Sequence, residues 1–485
     1  MGRSKDGPAD RSITGADFLQ LTLGEAPTGG LADWLTDRLR TALADGRLPV
    51  GSRLPATRVL AGELRVSRGV VTEAYRRLIE DGQAAGRGRG GTVVLAAPVS
   101  APAPASPEPP PVSAVFTEHP DLDLFESLRT IPARIDLSPG VPDLAAFPRT
   151  AWLRAERKVL DELSPAAFGY GDPRGAPAFR AAVANWLARN RGISVSPEEV
   201  IIVAGVAQAL GLLAQVLSRN GISEIAVEDP GSLGARRHLE NWHMTTTPVP
   251  VDAGGIQVDA LRSPAVVLTP AHQFPTGVVL DGQRRRELMR WAEAGGLIIE
   301  DDYDAEHRYD RPPVLALRSM LAQQVCYAGS VSKLLAPALR VGWLLVPRKY
   351  FRAVVAAKRD TDLGNAVLPQ LVLAELMSSG ELERQLRLLR RRHRRRRDAM
   401  IAALAEHLPS ARVHGAAAGL HLMVTLAPEV SDVDFAAAAM SRGVKVQPLS
   451  WHRQRPGPPG LVLGYAATSP GEIEKGIEVL AGLKP

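Results

Sequence analysis

Lys333 stands in Gly329-Ser330-Val331-Ser332-Lys333, just after an apolar run, and Arg340 lies seven positions further on. Upstream, Glu300-Asp301-Asp302-Tyr303-Asp304 gathers four carboxylates around one phenol. A lysine amine forms a Schiff base with an aldehyde, hydroxyls and a guanidinium hold a phosphate, and a carboxylate keeps a pyridinium nitrogen protonated. In this order the residues predict a pyridoxal 5'-phosphate site. Lys333 is its covalent anchor, and Ser330, Ser332 and Arg340 lie on the phosphate. Asp301 is the expected partner of the ring nitrogen, with Asp302 the alternative, because strand register decides which acid faces the ring. Tyr303 is expected to hydrogen-bond the cofactor's phenolate oxygen. Gly205-Val206-Ala207 ends a strand and opens a helix, so its free N–H groups and the helix dipole suit the phosphate as well. Ser-Val-Ser-Lys or Asp-Asp-Tyr alone is a weak signal; the order and spacing of all the parts carry the reading.

These side chains need a scaffold. Between Val200 and Val346, short β-branched runs such as Val200–Val203, Ile225–Val227, Ala265–Leu268, Leu297–Ile299 and Val325–Ala328 alternate with helical segments. That alternation predicts an α/β body with a mostly parallel sheet and its site at the carboxyl ends of the strands. The first hundred residues read differently. Helical periodicity from Leu31 to Leu43, a second helix opened by Leu54-Pro55, and a third from about Arg68, capped by Ser67, precede a Gly/Arg-rich hairpin. Three helices and such a hairpin predict a winged helix-turn-helix. Pro, Ala and Ser dominate from about Leu95, which reads as a semi-rigid linker. The expected organisation is a DNA-binding module over 1–94, a linker over 95–130 and a cofactor-binding body over 131–485.

Bulk composition fits this plan. The 485 residues exceed one ordinary core, and 45% hydrophobic with 23% charged residues describes a soluble globular chain. No apolar run is long enough for a membrane helix, and the N-terminus lacks a signal-peptide core. The single cysteine, Cys326, excludes an internal disulfide and fits a cytoplasmic protein. A net charge of +6 is mild, but from Arg47 to Gly91 there are nine arginines against four acids. Arg58 on the second helix, Arg68 at the start of the third, and Arg87 and Arg89 in the wing can meet phosphates and base edges of double-stranded DNA.

The phrases Leu54-Pro55-Ala56-Thr57-Arg58, Val66-Ser67-Arg68 and Gly90-Gly91-Thr92-Val93-Val94 resemble the winged helix of the GntR family of bacterial repressors. That resemblance implies DNA contacts by Arg58, Arg68 and Gly91, and backbone contacts by Ser67 and Gly69. From about Leu137 onward the chain resembles the fold type I aminotransferases, through Tyr170-Gly171-Asp172-Pro173-Arg174-Gly175, His272-Gln273-Phe274-Pro275-Thr276-Gly277 and the Lys333 motif. The two halves and the linker together resemble the MocR subfamily of pyridoxal-phosphate-binding regulators. The resemblance implies a homodimer, with Tyr170 reaching the phosphate of the neighbouring subunit.

Three departures from the pattern of the family matter, one of them the stretch Asp229-Pro230-Gly231-Ser232-Leu233-Gly234, where relatives often place a tyrosine at the position of Ser232 and one an arginine at that of Gly234. The arginine that pairs with a substrate carboxylate is expected just before Leu463-Gly464-Tyr465, where this chain has Val462. Phe274 stands where aminotransferases use an asparagine toward the cofactor oxygen. Arg453 and Arg455 are candidate substitutes for the missing arginine. The leading expectation is a regulator whose effector is pyridoxal phosphate itself, as in PdxR-like members that control its synthesis, with neither a catalytic residue nor a metal site. The alternatives are a regulator answering an amino acid or amine, an active aminotransferase with an accessory DNA-binding domain, or a cofactor-free dimerisation scaffold. One further segment, Arg387 to Arg397, holds eight arginines on a helical pattern. It reads as a solvated helix face or as a supplementary DNA or subunit contact.

Overall fold

The computed structural model describes residues 26, 29–88, 91–96, 111–118, 120, 123–304, 306–309 and 314–483. Arg89, expected in the wing, and 97–110 of the expected linker lie outside the described residues. The chain divides into two units, 1–108 and 109–485. Among the described residues no helix is long and apolar enough to cross a membrane.

The smaller unit holds helices α1 (Leu31–Ala44), α2 (Thr57–Glu63) and α3 (Arg68–Glu80) and a hairpin of β1 (Ala84–Gly86) and β2 (Thr92–Val94). Leu35, Leu39 and Leu43 recur at helical spacing and are buried against Leu60, Val71, Tyr75 and Leu78. Burying each such side chain stabilises the module by roughly 1.5–3 kcal/mol. The second helix begins at Thr57 rather than at Leu54-Pro55. A residue before proline is steered away from helical angles, and the Pro55 carbonyl accepts the Tyr75 hydroxyl at 2.9 Å instead. Ser67 starts α3 by accepting the Val70 N–H at 3.4 Å.

The larger unit is built on an eight-stranded sheet. Its strands are β3 (Ile201–Val203), β4 (Glu224–Asp229), β5 (Thr245–Asp252), β6 (Gly255–Ile256), β7 (Ala265–Leu268), β8 (Leu297–Asp302), β9 (Val325–Ser330) and β10 (Gly342–Leu345). They lie in the order β3-β10-β9-β8-β7-β4-β5-β6. The five strands from β9 to β5 run parallel, and β10 and β6 pair antiparallel at either side. The strands read as continuous apolar runs because both faces are covered, as parallel sheets require. Helix α4 (Val206–Arg219) follows β3, its Leu210, Leu213 and Leu217 buried against the sheet. A second sheet of four strands, including His421–Thr425 and Gly460–Gly464, packs with the last helix, Pro470–Ala481. A 27-residue helix, Glu381–His407, contributes to the cores of both parts of this unit.

The expected linker is shorter than 95–130 at its far end. Val112–Val115 and Leu124–Thr130 are helical, and Val115, Phe116, Leu124 and Leu128 are buried in the core of the larger unit. The Pro/Ala density that marks a linker has ended by Val112, and apolar spacing resumes there.

Candidate cofactor site and nucleic-acid interface

The carboxyl ends of β8 and β9 bring the acidic run beside the lysine loop. Register pairs Ala328 with Asp301 and Gly329 with Asp302. Adjacent strand residues face opposite sides of a sheet, so the two acids have different surroundings. Asp302 accepts the Arg191 Nε at 2.6 Å and the Tyr327 hydroxyl. Asp301 keeps its Oδ1 buried with no hydrogen-bond partner. Burial pushes Asp301 up to about 7, helped by the charges of Asp302, Asp304 and Glu228 and opposed by Lys333.

Lys333 follows β9, and its Nζ donates to the Gly140 carbonyl. Burial lowers its pKa from the ordinary lysine range against the pull of Asp304 and Asp301, which favours the neutral, nucleophilic amine. Gly140 has φ +79, and a Cβ there would sit 3.1 Å from the Lys333 Nζ. The left-handed φ favours glycine, and a Cβ would crowd the amine. The Tyr303 hydroxyl lies 3.0 Å from the His272 Nδ1, which is also 2.8 Å from the Asp304 Oδ2.

The other end of the site is a phosphate-sized cradle. Gly205, at φ +93, turns the chain from β3 into α4. The first-turn N–H groups of a helix have no intrahelical acceptor. A Cβ on Gly205 would meet the Arg340 guanidinium at 3.6 Å and the Ser332 Oγ at 3.9 Å. Arg340 itself adopts φ +51 and is exposed. Ser330, at the end of β9, accepts the Ser332 N–H at 3.4 Å. Glycine, helix terminus, hydroxyl and guanidinium thus converge, together with Val206 and Ala207 of the first turn. With the unpartnered Asp301 Oδ1 and the reachable Lys333 amine, this donor set fits pyridoxal phosphate. Tyr170 is not part of it within one chain and is 95% exposed.

Val462 is fully buried on the strand Gly460–Gly464, clustered with Met423 and Leu449, and Phe274 packs on this cluster. Phe274 is held there by its N–H to the Thr269 Oγ1 at 3.0 Å, and Thr269 in turn donates to buried Glu228 at 2.8 Å. Its ring meets Tyr303 edge-on at 6.2 Å. Of the candidate substitutes, Arg455 donates to the Pro248 carbonyl at 2.7 Å, and Arg453 is half-buried near Asp229 and Asp432.

In the smaller unit the arginines sort by partner. Arg40, Arg47, Arg76 and Arg77 pair with Asp81, Asp45, Glu73 and Asp33 respectively. Arg53, Arg58, Arg65, Arg68 and Arg87 have no acidic partner among the described residues and are exposed. Arg68 Nε reaches the Thr57 Oγ1 at 3.3 Å, tying the start of α3 to the start of α2. Ser67, Gly69 and Gly91 are exposed on the same segments. A Cβ at Gly91 would lie 3.5 Å from the Arg53 side chain. Unneutralised charge therefore gathers at the α2–α3 turn and the hairpin, as a phosphate-binding surface needs.

Sequence reasoning missed Gly140, Arg191 and the His272–Asp304 pair. Ser138-Pro139-Gly140 carries a turn signature, but nothing in it points to a lysine nearly two hundred positions away. Arg191 ends an ordinary-looking helix, and only its complete burial beside Asp302 gives it a role.

The profile of the aminotransferase class I and II family matches residues 133–480, and that of the gntR family of bacterial regulatory proteins matches 31–94. The chain is 31% identical over 457 residues to the probable rhizopine catabolism regulatory protein MocR of Rhizobium meliloti, covering 92% of each. It is 32% identical over 447 residues to the pyridoxine biosynthesis transcriptional regulator PdxR of Corynebacterium glutamicum, covering 89% of this chain and 91% of that one. Among solved structures, kynurenine aminotransferase from Pyrococcus horikoshii, in complex with PMP, superposes with a TM-score of 0.68 at 26% identity, covering 74% of this chain and 92% of that one.

Proposed function

The chain belongs to the aminotransferase class I and II family and, with its gntR-type winged helix, to the MocR subfamily of helix-turn-helix transcriptional regulators; from that premise we propose that it senses pyridoxal 5'-phosphate itself and controls genes of pyridoxal phosphate synthesis. The observation that carries the reading is an asymmetry. Residues suited to phosphate, ring nitrogen and aldehyde gather at the strand ends, whereas Val462, which stands where the resemblance expects the carboxylate-binding arginine, is buried in a cluster on which Phe274 packs.

In this reading Arg340, Ser330, Ser332 and the N–H groups of Gly205, Val206 and Ala207 bind the phosphate. Asp301 meets the ring nitrogen, and Tyr303, steadied by His272, meets the phenolate oxygen. When bound, the cofactor supplies an aldehyde and an electron-withdrawing ring. Lys333 would hold the aldehyde of a bound cofactor and would then no longer donate to Gly140, so the two states would differ in what the 138–143 loop holds. A ligand that favours one of two such states shifts their populations. In this reading transamination is negligible because Val462 offers no cation to orient an amino acid's carboxylate.

A homodimer completes the site. Tyr170, Phe168 and Leu363 are exposed at 95%, 61% and 58%, and the Leu363–Gly364 turn abuts Pro173. An exposed apolar patch beside a site is a subunit-contact signature. The test titrates apo-protein on its own promoter fragment with pyridoxal phosphate, then adds common amino acids to the holo-protein. A DNA response to the cofactor alone is expected. A response to amino acids alone keeps a regulator and overturns the ligand.

A further inference from the structure

Of the eight arginines from Arg387 to Arg397, four have protein partners. Arg390 donates to the Glu306 carbonyl at 2.7 Å. Arg392 and Arg396 grip buried Asp143 at 2.7 and 2.8 Å. Arg397 donates to the Ala416 carbonyl at 2.9 Å and lies over the Tyr309 ring. These side chains, with buried His393, fasten the helix to the body. The other four, Arg387, Arg391, Arg394 and Arg395, are exposed and have no acidic partner among the described residues.

At 3.6 residues per turn those four fall within an arc of about 100° and span about 12 Å of helix. The acids that could interleave with them are engaged elsewhere. Glu383 takes Arg189 at 3.0 Å, Glu381 takes Arg384 at 3.2 Å, and Asp398 takes Arg397 at 2.6 Å. Like charges at helical i,i+4 spacing repel, and Arg387, Arg391 and Arg395 form two such steps in succession. A solvated helix face ordinarily mixes signs; this one keeps a repulsive row.

We propose that the outer face of helix Glu381–His407 is a second duplex-DNA contact, in which Arg387, Arg391, Arg394 and Arg395 neutralise backbone phosphates without reading sequence. Guanidinium groups suit phosphate oxygens, and a polyanion is the partner whose charge removes the repulsion within the row. The proposal rests on the winged helix being the primary DNA-binding element, to which this face adds affinity and salt dependence.

The experiment measures binding of full-length holo-protein to a long duplex of unrelated sequence across a series of KCl concentrations. The variants are R387Q/R391Q/R394Q/R395Q, an equal charge loss elsewhere (R154Q/R157Q/R286Q/R290Q), and Arg68→Ala. The row variant is expected to flatten the slope of log affinity against log salt by up to about 3–4, so that its affinity deficit widens by up to about three decades for each tenfold drop in salt. It should keep the visible absorbance of the lysine-bound cofactor. R391Q/R395Q, expected to give about half the flattening, replaces it if the fourfold variant does not fold. A wild-type slope in the row variant, or equal flattening in the charge control, overturns the proposal. A change in assembly mass with unchanged DNA binding overturns it too and assigns the face to a subunit contact. Loss of binding in Arg68→Ala tests the winged helix separately: if Arg68→Ala is silent while the row variant flattens the slope, the primary reading fails and the row stands.

Discussion

Asp301 and Asp302 are neighbours on one strand with opposite fates. Asp302 shares its Oδ2 between Arg191 and Tyr327 and leaves only its Oδ1 without a partner, while Asp301 makes no side-chain hydrogen bond among the described residues. The ion pair makes Asp302 a structural anchor between the sheet and the helix Pro177–Arg191. Asp301, without such partners, is the carboxylate proposed for the ring nitrogen.

The isolation of Asp301 has a pH signature. Its folded pKa, about 7, exceeds the ordinary 3.8 because of burial. Folded protein therefore holds a proton there that the unfolded chain has lost, and the burial penalty grows as pH rises from about 4 to 7. Asp301→Asn removes the penalty. The variant apo-protein should gain the most thermal stability over wild type at pH 8, roughly a third of that at pH 5 and little at pH 4, while its pyridoxal phosphate affinity falls. The comparison must be differential, because buried His307, His421 and His452, lowered to about 4, 3 and 3, act with the opposite sign. A difference in melting temperature that ignores pH would remove the unpaired carboxylate from the account.

Lys333→Ala should abolish the visible absorption of the lysine-bound cofactor and any adduct that borohydride can fix. The fold should survive, because the amine reaches one carbonyl and supplies little core packing. Phosphate contacts should still retain some cofactor reversibly. Mass spectrometry after reduction decides the matter: a covalent adduct persisting in the variant means another lysine is the anchor.

Arg68→Ala should weaken operator binding and leave the cofactor spectrum unchanged. A base contact predicts a loss of roughly 1–3 kcal/mol confined to one base pair. A phosphate contact predicts a similar loss on every sequence and a flatter salt dependence. Fluorescence anisotropy with matched and single-substituted operators separates the two, and undiminished affinity on all of them contradicts the interface.

Ordinary amino acids should not convert the holo-protein to its pyridoxamine form. The bidentate carboxylate–arginine pair that Val462 cannot make is worth about 1.5–3 kcal/mol in binding, before orientation is counted. Single-turnover spectra with each amino acid provide the check. Rapid conversion with any of them promotes the aminotransferase reading.

The sequence by itself determined the parts and their order. Lys333, Arg340, the Glu300–Asp304 run and the Gly205 turn carry cofactor chemistry in types and spacings that any parallel α/β sheet would bring to its strand ends. The α2–α3 turn and its arginines were legible for the same local reason, since caps, prolines and helical periodicity act within a few residues. Tertiary structure decided whatever depends on distant partners. It paired Asp302 rather than Asp301 with Arg191, set Gly140 against Lys333, and buried Val462 under Phe274. It also drew Val115, Phe116, Leu124 and Leu128 into the core and divided eight consecutive-looking arginines into four that hold the body and four that face solvent. Periodicity fixes which side of an element a residue occupies; what waits on that side comes from chain one to two hundred residues away, and only packing reveals it.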